Sequence, residues 1–337
     1  MVDFAGKRWW ALSISAAITL VAVVALALWG LVPGIEFTSG STFTFAFTEQ
    51  NVSQQEVKDA MSDLGHPEAR VQEAGTNEFL IRTTELEGPP PDTDTSAVGP
   101  EVPIRGEIDD IQDGLCAEFG TVQPDGSCTG VTRLDYSTVS ETVSTEIARD
   151  AVIAVLVASV AILLYISWAF RRMRRPWRYG AAAIIALAHD ALMVLGLFAF
   201  LGEFNGTEVD TAFIVAILTV IGFSVHDTIV VFDRIREMVT HDPYVPFGEA
   251  VNASLTETLV RSLNTSFVVV LTVLSMLLIG GESIRNFLIV LLVGLISGTY
   301  SSIAIAAQVL VVWENGDIGK FFRRITGRGT PPVAEPA

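Results

Sequence analysis

The sequence predicts an α-helical membrane protein with six transmembrane helices and one small α+β, ferredoxin-like (β-α-β-β-α-β) extracytoplasmic domain between helices 1 and 2. Three observations lead there. Half of the 337 residues are hydrophobic and the mean hydropathy is +0.48, yet the net charge is −17. Apolar and charged residues are therefore segregated along the chain, which excludes an ordinary soluble domain. The segregation has an address: 22 acidic and 5 basic residues lie between Pro33 and Ile147, and the remainder of the chain holds 16 of each. Finally, six runs outside or bordering that window approach the ~20 apolar residues that a helix needs to cross a bilayer. With no basic patch on a folded domain to neutralise phosphates, nucleic acid is excluded as a partner.

The first run, Trp10–Val32, follows a short N-terminus, 1–9, that carries Lys7 and Arg8. The others are Ala151–Phe170, Gly180–Leu201, Thr211–Phe232, Ser262–Ile279 and Phe287–Val312, with a tail at 313–337. Positive charge orients them. Five arginines fill the link Arg171–Arg178, Arg234 and Arg236 follow the fourth run, and Lys320, Arg323, Arg324 and Arg328 follow the sixth, whereas the two short loops on the opposite side hold Arg285 alone. Both termini are expected in the cytoplasm and the acidic region outside. A cleaved signal peptide ending near Ala25-Leu26-Ala27 is the alternative for the first run, but 23 residues exceed a signal h-region.

Within the acidic region, alternation over Glu36–Phe47 reads as a strand. Ser53 with Glu56 makes a capping box that opens a helix to Leu64. Strands at Ala69–Glu73 and Glu78–Leu86, a Pro- and Asp-rich insert at 88–103, a helix Ile104–Phe119 and a strand Val131–Ser140 complete the split βαβ order. Cys116 and Cys128 stand 12 residues apart and can close a structural disulfide in an oxidising compartment, or remain two thiols. No phosphate loop, Ser-His-Asp set or zinc spacing is present, so neither enzyme activity, metal nor cofactor is expected. The acidity itself either orients basic client segments or merely keeps the domain soluble.

Ionisable residues inside membrane spans are costly and are functional candidates by default. Span three carries His189-Asp190, span four His226-Asp227 with Ser224 nearby, and span five opens with Arg261 followed by Asn264, Thr265 and Ser266. Asp227 stands 16 residues after Thr211, roughly 24 Å into the membrane at ~1.5 Å per residue. Arg261, Asn264, Thr265 and Thr272 share one helical face, which is expected to point at protein and to bring Arg261 to Asp227. Such a pair either locks two helices or cycles as the aspartate takes up and releases a proton; His189 and Asp190 belong either to the same relay or to a structural contact. An intramembrane aspartyl protease fits poorly because Val225-His226-Asp227 lacks the glycine expected before a catalytic carboxylate. Gly294 and Gly298 on span six are expected to allow close helix packing, and either that face or span four is expected to meet a partner subunit.

These residues resemble a known family. Gly34-Ile35-Glu36-Phe37-Thr38-Ser39-Gly40-Ser41, Ala188-His189-Asp190, the stretch from Gly222 to Glu237, and Gly294-x-x-x-Gly298-Thr299-Tyr300-Ser301-Ser302-Ile303 are similar to motifs of the SecD/SecF protein-export membrane proteins, a branch of the resistance-nodulation-division superfamily. With six spans and one modest outer domain, the similarity is to the SecF type. The resemblance implies a half-transporter of the bacterial cell membrane that pairs with SecD, assists the SecYEG channel and the SecA motor, and uses the proton motive force to promote translocation and release of preproteins. It also implies that the proton-pathway aspartate and arginine are Asp227 and Arg261. A scaffold that organises SecYEG without moving ions is the alternative, and small-molecule efflux follows from the superfamily but lacks a large outer pocket. Departures from the family pattern are His226 in place of Asn, Glu36, Ser39 and Ser41 in the glycine motif, the acidic insert and the two cysteines.

Overall fold

A computed structural model describes residues 3–48, 52–87, 106–123, 128–281 and 284–317. The insert at 88–103, the start of the helix expected at Ile104, and residues 318–337 of the tail lie outside the described residues. The chain divides into two compact units: Met1–Leu31, Ile153–Thr207 and Ala212–Ala337 form one, and Val32–Val152 with Glu208–Thr211 the other.

Among the described residues, six helices are long and apolar enough to cross a membrane: α1 (Arg8–Trp29), α5 (Glu141–Ala169), α6 (Pro176–Asn205), α7 (Thr211–His241), α8 (Phe247–Ile279), and a sixth over Arg285–Glu314. The sixth is made of α9 (Arg285–Ser301), a π-helical segment (Ser302–Ala306) and α10 (Ala307–Glu314). Several run beyond the apolar runs. Helix α5 starts at Glu141, inside the window expected to be wholly outer domain, and α8 starts after Pro246, fifteen residues before Ser262, because a helix continues through polar residues once it leaves hydrocarbon. Helix α1 instead stops at Trp29, where Gly30 takes a φ of 70°.

Small residues set the packing. Gly196 of α6 lies against Ala22 of α1, and a side chain at Gly196 would collide with the Ala22 backbone, so the two helices meet closely. Elsewhere α1, α5 and α8 leave large apolar side chains such as Leu20, Leu28, Leu156, Val160, Phe267 and Leu271 exposed, as lipid-facing surfaces require.

The second unit has a four-stranded antiparallel sheet, order β2-β3-β1-β6, from β1 (Gly40–Phe47), β2 (Arg70–Gly75), β3 (Glu78–Thr83) and β6 (Val131–Val139). Helices α3 (Gln54–Asp63) and α4 (Glu107–Phe119) make the crossovers, and the core they share with the sheet contains Phe43, Phe45, Phe79, Met61, Ile81 and Leu115. This is the split βαβ arrangement expected from the order of elements. The Ser53 capping box is formed, with Glu56 Oε2 accepting from Ser53 N at 2.8 Å. The strand expected from Glu36 needs correction: Ile35–Thr38 forms one helical turn, α2, and the strand begins only at Gly40, because Ser39 (φ 62°) and Gly40 (φ 127°) turn the chain first. A two-residue ribbon, β4 (Thr121–Val122) with β5 (Cys128–Thr129), follows α4, and a Cys116–Cys128 disulfide joins that ribbon to the helix.

Candidate functional site

Among the described residues, two buried carboxylates lie in the helical unit, on different sides of α9. Successive α-helical residues turn by about 100°, so positions 297 and 301 share a face while 299 points nearly opposite. Ser297 and Ser301 accordingly reach α6, and Thr299 reaches α8.

On the first side is Asp190 of α6, which has no solvent exposure. Ser224 of α7 and Ser301 of α9 each donate to its Oδ2 at 2.7 Å, and Ser297 of α9 donates to Oδ1 at 2.7 Å. His189 Nδ1 lies 3.2 Å from the same Oδ1. Three helices thus converge on one carboxylate. Hydroxyls reach it because Gly298 keeps α9 against α7: a Cβ there would stand 2.9 Å from the Cβ of Ser224. Gly294 packs in the same way against Val220, so this glycine face meets α7 of the same chain and is not left for a partner. One turn further, Ser302 Oγ and Thr228 Oγ1 hydrogen-bond at 2.9 Å where the π-helical segment begins, and Gln308 Nε2 donates to the Ile303 carbonyl within that segment at 3.3 Å.

On the second side is Asp227 of α7, only 3% exposed. Ser266 Oγ of α8 donates to its Oδ2 at 3.3 Å, and Thr299 Oγ1 donates to Ser266 Oγ at 2.7 Å. This chain of two hydroxyls ends on a groove of about 990 Å³ lined by Ser266, Asn264, Thr299, Tyr300 and, at one end, Lys7 and Asp3.

The expected pair of Asp227 with Arg261 is not formed. Arg261 is exposed and makes no ion pair among the described residues. The reason is helical phase. Ser262, Ser266 and Val273 are the buried face of this part of α8, and Arg261 precedes Ser262 by one residue, about 100° round the helix. Asn264 and Thr265 are exposed on the same side, with Thr265 Oγ1 bonded to the carbonyls of Arg261 and Ser262 at 3.0 Å each. His226 is exposed too. Sequence reasoning named Ser266 beside Arg261 without assigning it to Asp227, quoted Thr299 and Ser301 only within a family motif, and missed Ser297. The signal was present: Ser262/Ser266 and Ser297/Ser301 are four residues apart, the spacing at which polar side chains line one helical face.

The comparisons with known proteins agree with this architecture. Residues 125–316 match the family described as protein export membrane protein SecD/SecF, C-terminal. The protein translocase subunit SecF of Thermobaculum terrenum is 40% identical over 96% of this chain and 98% of its own length. The protein translocase subunit SecDF of Bacillus subtilis is 34% identical over 94% of this chain but 39% of its own. Among solved structures, SecDF from Thermus thermophilus, titled a translocon-associated membrane protein, superposes with a TM-score of 0.75 at 31% identity, covering 93% of this chain and 39% of that one. The chain therefore belongs to the SecD/SecF family of protein export membrane proteins, as a subunit of the SecF type.

Proposed function

We propose that this protein translocase subunit works with SecD, beside the SecYEG channel and SecA, and uses the proton motive force to promote translocation and release of preproteins on the outer face of the bacterial cell membrane. Its six helices span that membrane with both termini cytoplasmic, as the arginine-rich links Arg171–Arg178 and Arg234–Arg236 favour. Relatives in which a chain of this kind is about two-fifths of a protein named SecDF support a SecD partner.

The observation that carries the reading is the contrast between the two carboxylates. Asp190 is held by three hydroxyl donors and stands beside His189, a set that fixes three helices. Asp227, equally buried, has the single Ser266 hydroxyl at 3.3 Å as its side-chain donor among the described residues. Loading a proton onto Asp227 therefore breaks one bond, and the neighbouring Ser266–Thr299 chain gives the proton a way to and from the groove. Each charge moved across the membrane releases about 2.3 kcal/mol per 100 mV, enough to drive a two-state rearrangement. Arg261 enters this scheme from outside the chain: an intramembrane guanidinium on an outward face needs a counter-charge, which a SecD helix supplies.

A scaffold that moves no ions is the second reading, favoured by the static brace around Asp190. The two separate cleanly. With Asp227→Asn in membrane vesicles, the ion-driven reading expects export to lose its dependence on a proton gradient while the gradient-independent rate persists. A gradient response equal to wild type removes it.

A further inference from the structure

The second unit contains an ion pair between a buried carboxylate and a half-buried guanidinium that the scheme above does not use. Glu208, in the loop between α6 and α7, is 5% exposed, and its carboxylate is paired with Arg82 of β3. Two backbone hydrogen bonds flank the pair: Val209 N to Val32 O and Gly34 N to Val209 O, each 2.8 Å. The loop is thus stitched on one side to the chain that leaves α1 and on the other to the sheet. Gly34 permits the approach, since a Cβ there would stand 3.1 Å from the Val209 carbonyl and 3.5 Å from Glu208 Oε2. Ile35, Thr38 and Ser39 of the motif singled out in the sequence line a polar pocket of about 260 Å³ together with Glu68, Arg70, Arg82, Thr83 and Glu208.

We propose that Glu208 is an outer proton-binding site reached through this pocket, and that a proton on it closes a clasp fastening the lead-in of α7 to the sheet. The charges around it come from every packed element: Arg82 from β3, Arg70 from β2 and Glu36 from α2, with Asp210 of the same loop acting on Arg82 and Glu68 on the pocket wall. Burial pushes the Glu208 carboxyl up to about 7 in spite of Arg82 and Arg70, and burial lowers Arg82 as well, so for both partners the loss of water outweighs their attraction. When the loop is released, the carboxyl returns to water and to its ordinary value of 4.5. The clasped form therefore binds a proton more tightly than the open form. Between 4.5 and about 7 proton uptake drives closure, and above about 7 the clasp must bury an ionised pair and loosens. Helix α7 starts at Thr211, so the clasp fixes the chain three residues ahead of the helix that carries Asp227. The link from clasp to export rests on the ion-driven reading above, whereas the clasp itself does not.

Native-state hydrogen exchange on the full chain in lipid nanodiscs tests it without reference to export. After correction for intrinsic rates, opening at the Gly34 and Val209 amides is expected to rise several-fold from about pH 6 to about pH 8 in the wild type, whereas Glu208→Gln, an isosteric neutral mimic, stays protected at both. Infrared difference spectra are expected to show a protonated carboxyl band that disappears with a midpoint near pH 7 and is missing in Glu208→Gln. A flat wild-type profile, opening that rises at low pH, or a band that survives in Glu208→Gln overturns the clasp. None of these outcomes touches the Asp227→Asn result, so the two readings fail separately.

Discussion

Asp190 and Asp227 share a local sequence, His-Asp within an apolar helix, and their surroundings nevertheless differ. At Asp190 each of the donors Ser224, Ser297 and Ser301 comes with ideal spacing from a different position on α7 or α9. Replacing any one by Ala removes a hydroxyl at 2.7 Å from a buried carboxylate, and should cost about 1 kcal/mol, since hydrogen bonds inside membrane bundles are worth less than buried bonds to charge elsewhere. Thermal unfolding in detergent measures this directly. Ser266→Ala acts on a single 3.3 Å bond and should leave stability nearly unchanged while altering gradient-dependent export. That both aspartates are buried was legible in the sequence from the apolar spans that carry them. Their partners were not, because serine is unremarkable by composition and only the phase of three helices shows which hydroxyls converge. The same phase explains Arg261: its depth was readable, but one residue of rotation separates it from Ser262 and from the interior.

The elements show which local rules survive packing. The capping box at Ser53 and the β-α-β-β-α-β order are local signals, carried by adjacent residues, and the fold keeps them. The strand that alternation extended back to Glu36 is shortened by the turn at Ser39 and Gly40, and Gly34 just ahead of it bonds to Val209, a residue 175 positions away that no window of sequence contains. In α9 the spacing of Gly294 and Gly298 announced close packing without naming the mate, and the mate is α7. A side chain at Gly294 would overlap Val220. Gly294→Ala should therefore destabilise the bundle by about 1–3 kcal/mol, as overpacking does, and also spread Ser297 and Ser301 from Asp190. Adding Val220→Ala should recover most of that loss, giving a favourable coupling energy in a double-mutant cycle of unfolding free energies. Equal losses in the single and double variants would mean that α9 moves away from α7 as a body.

At the scale of the whole molecule, charge and hydropathy divide the chain as the two structural units do, and each unit has its own source of stability. The helical unit relies on small-residue contacts and on hydroxyls gathered by Asp190, in a lipid environment where apolar burial between helices gives little. The outer unit relies on an aqueous hydrophobic core of phenylalanines and aliphatics, plus a Cys116–Cys128 disulfide across 12 residues. A loop of that length restricts the unfolded chain by about 3 kcal/mol, and it does so for the outer unit alone. Calorimetry of the full chain should then show two transitions, of which reductant lowers only one, and Cys116→Ser with Cys128→Ser should reproduce the shift. If both transitions fell together on reduction, the two units would be one cooperative body and the disulfide would stabilise the helices as well as the sheet.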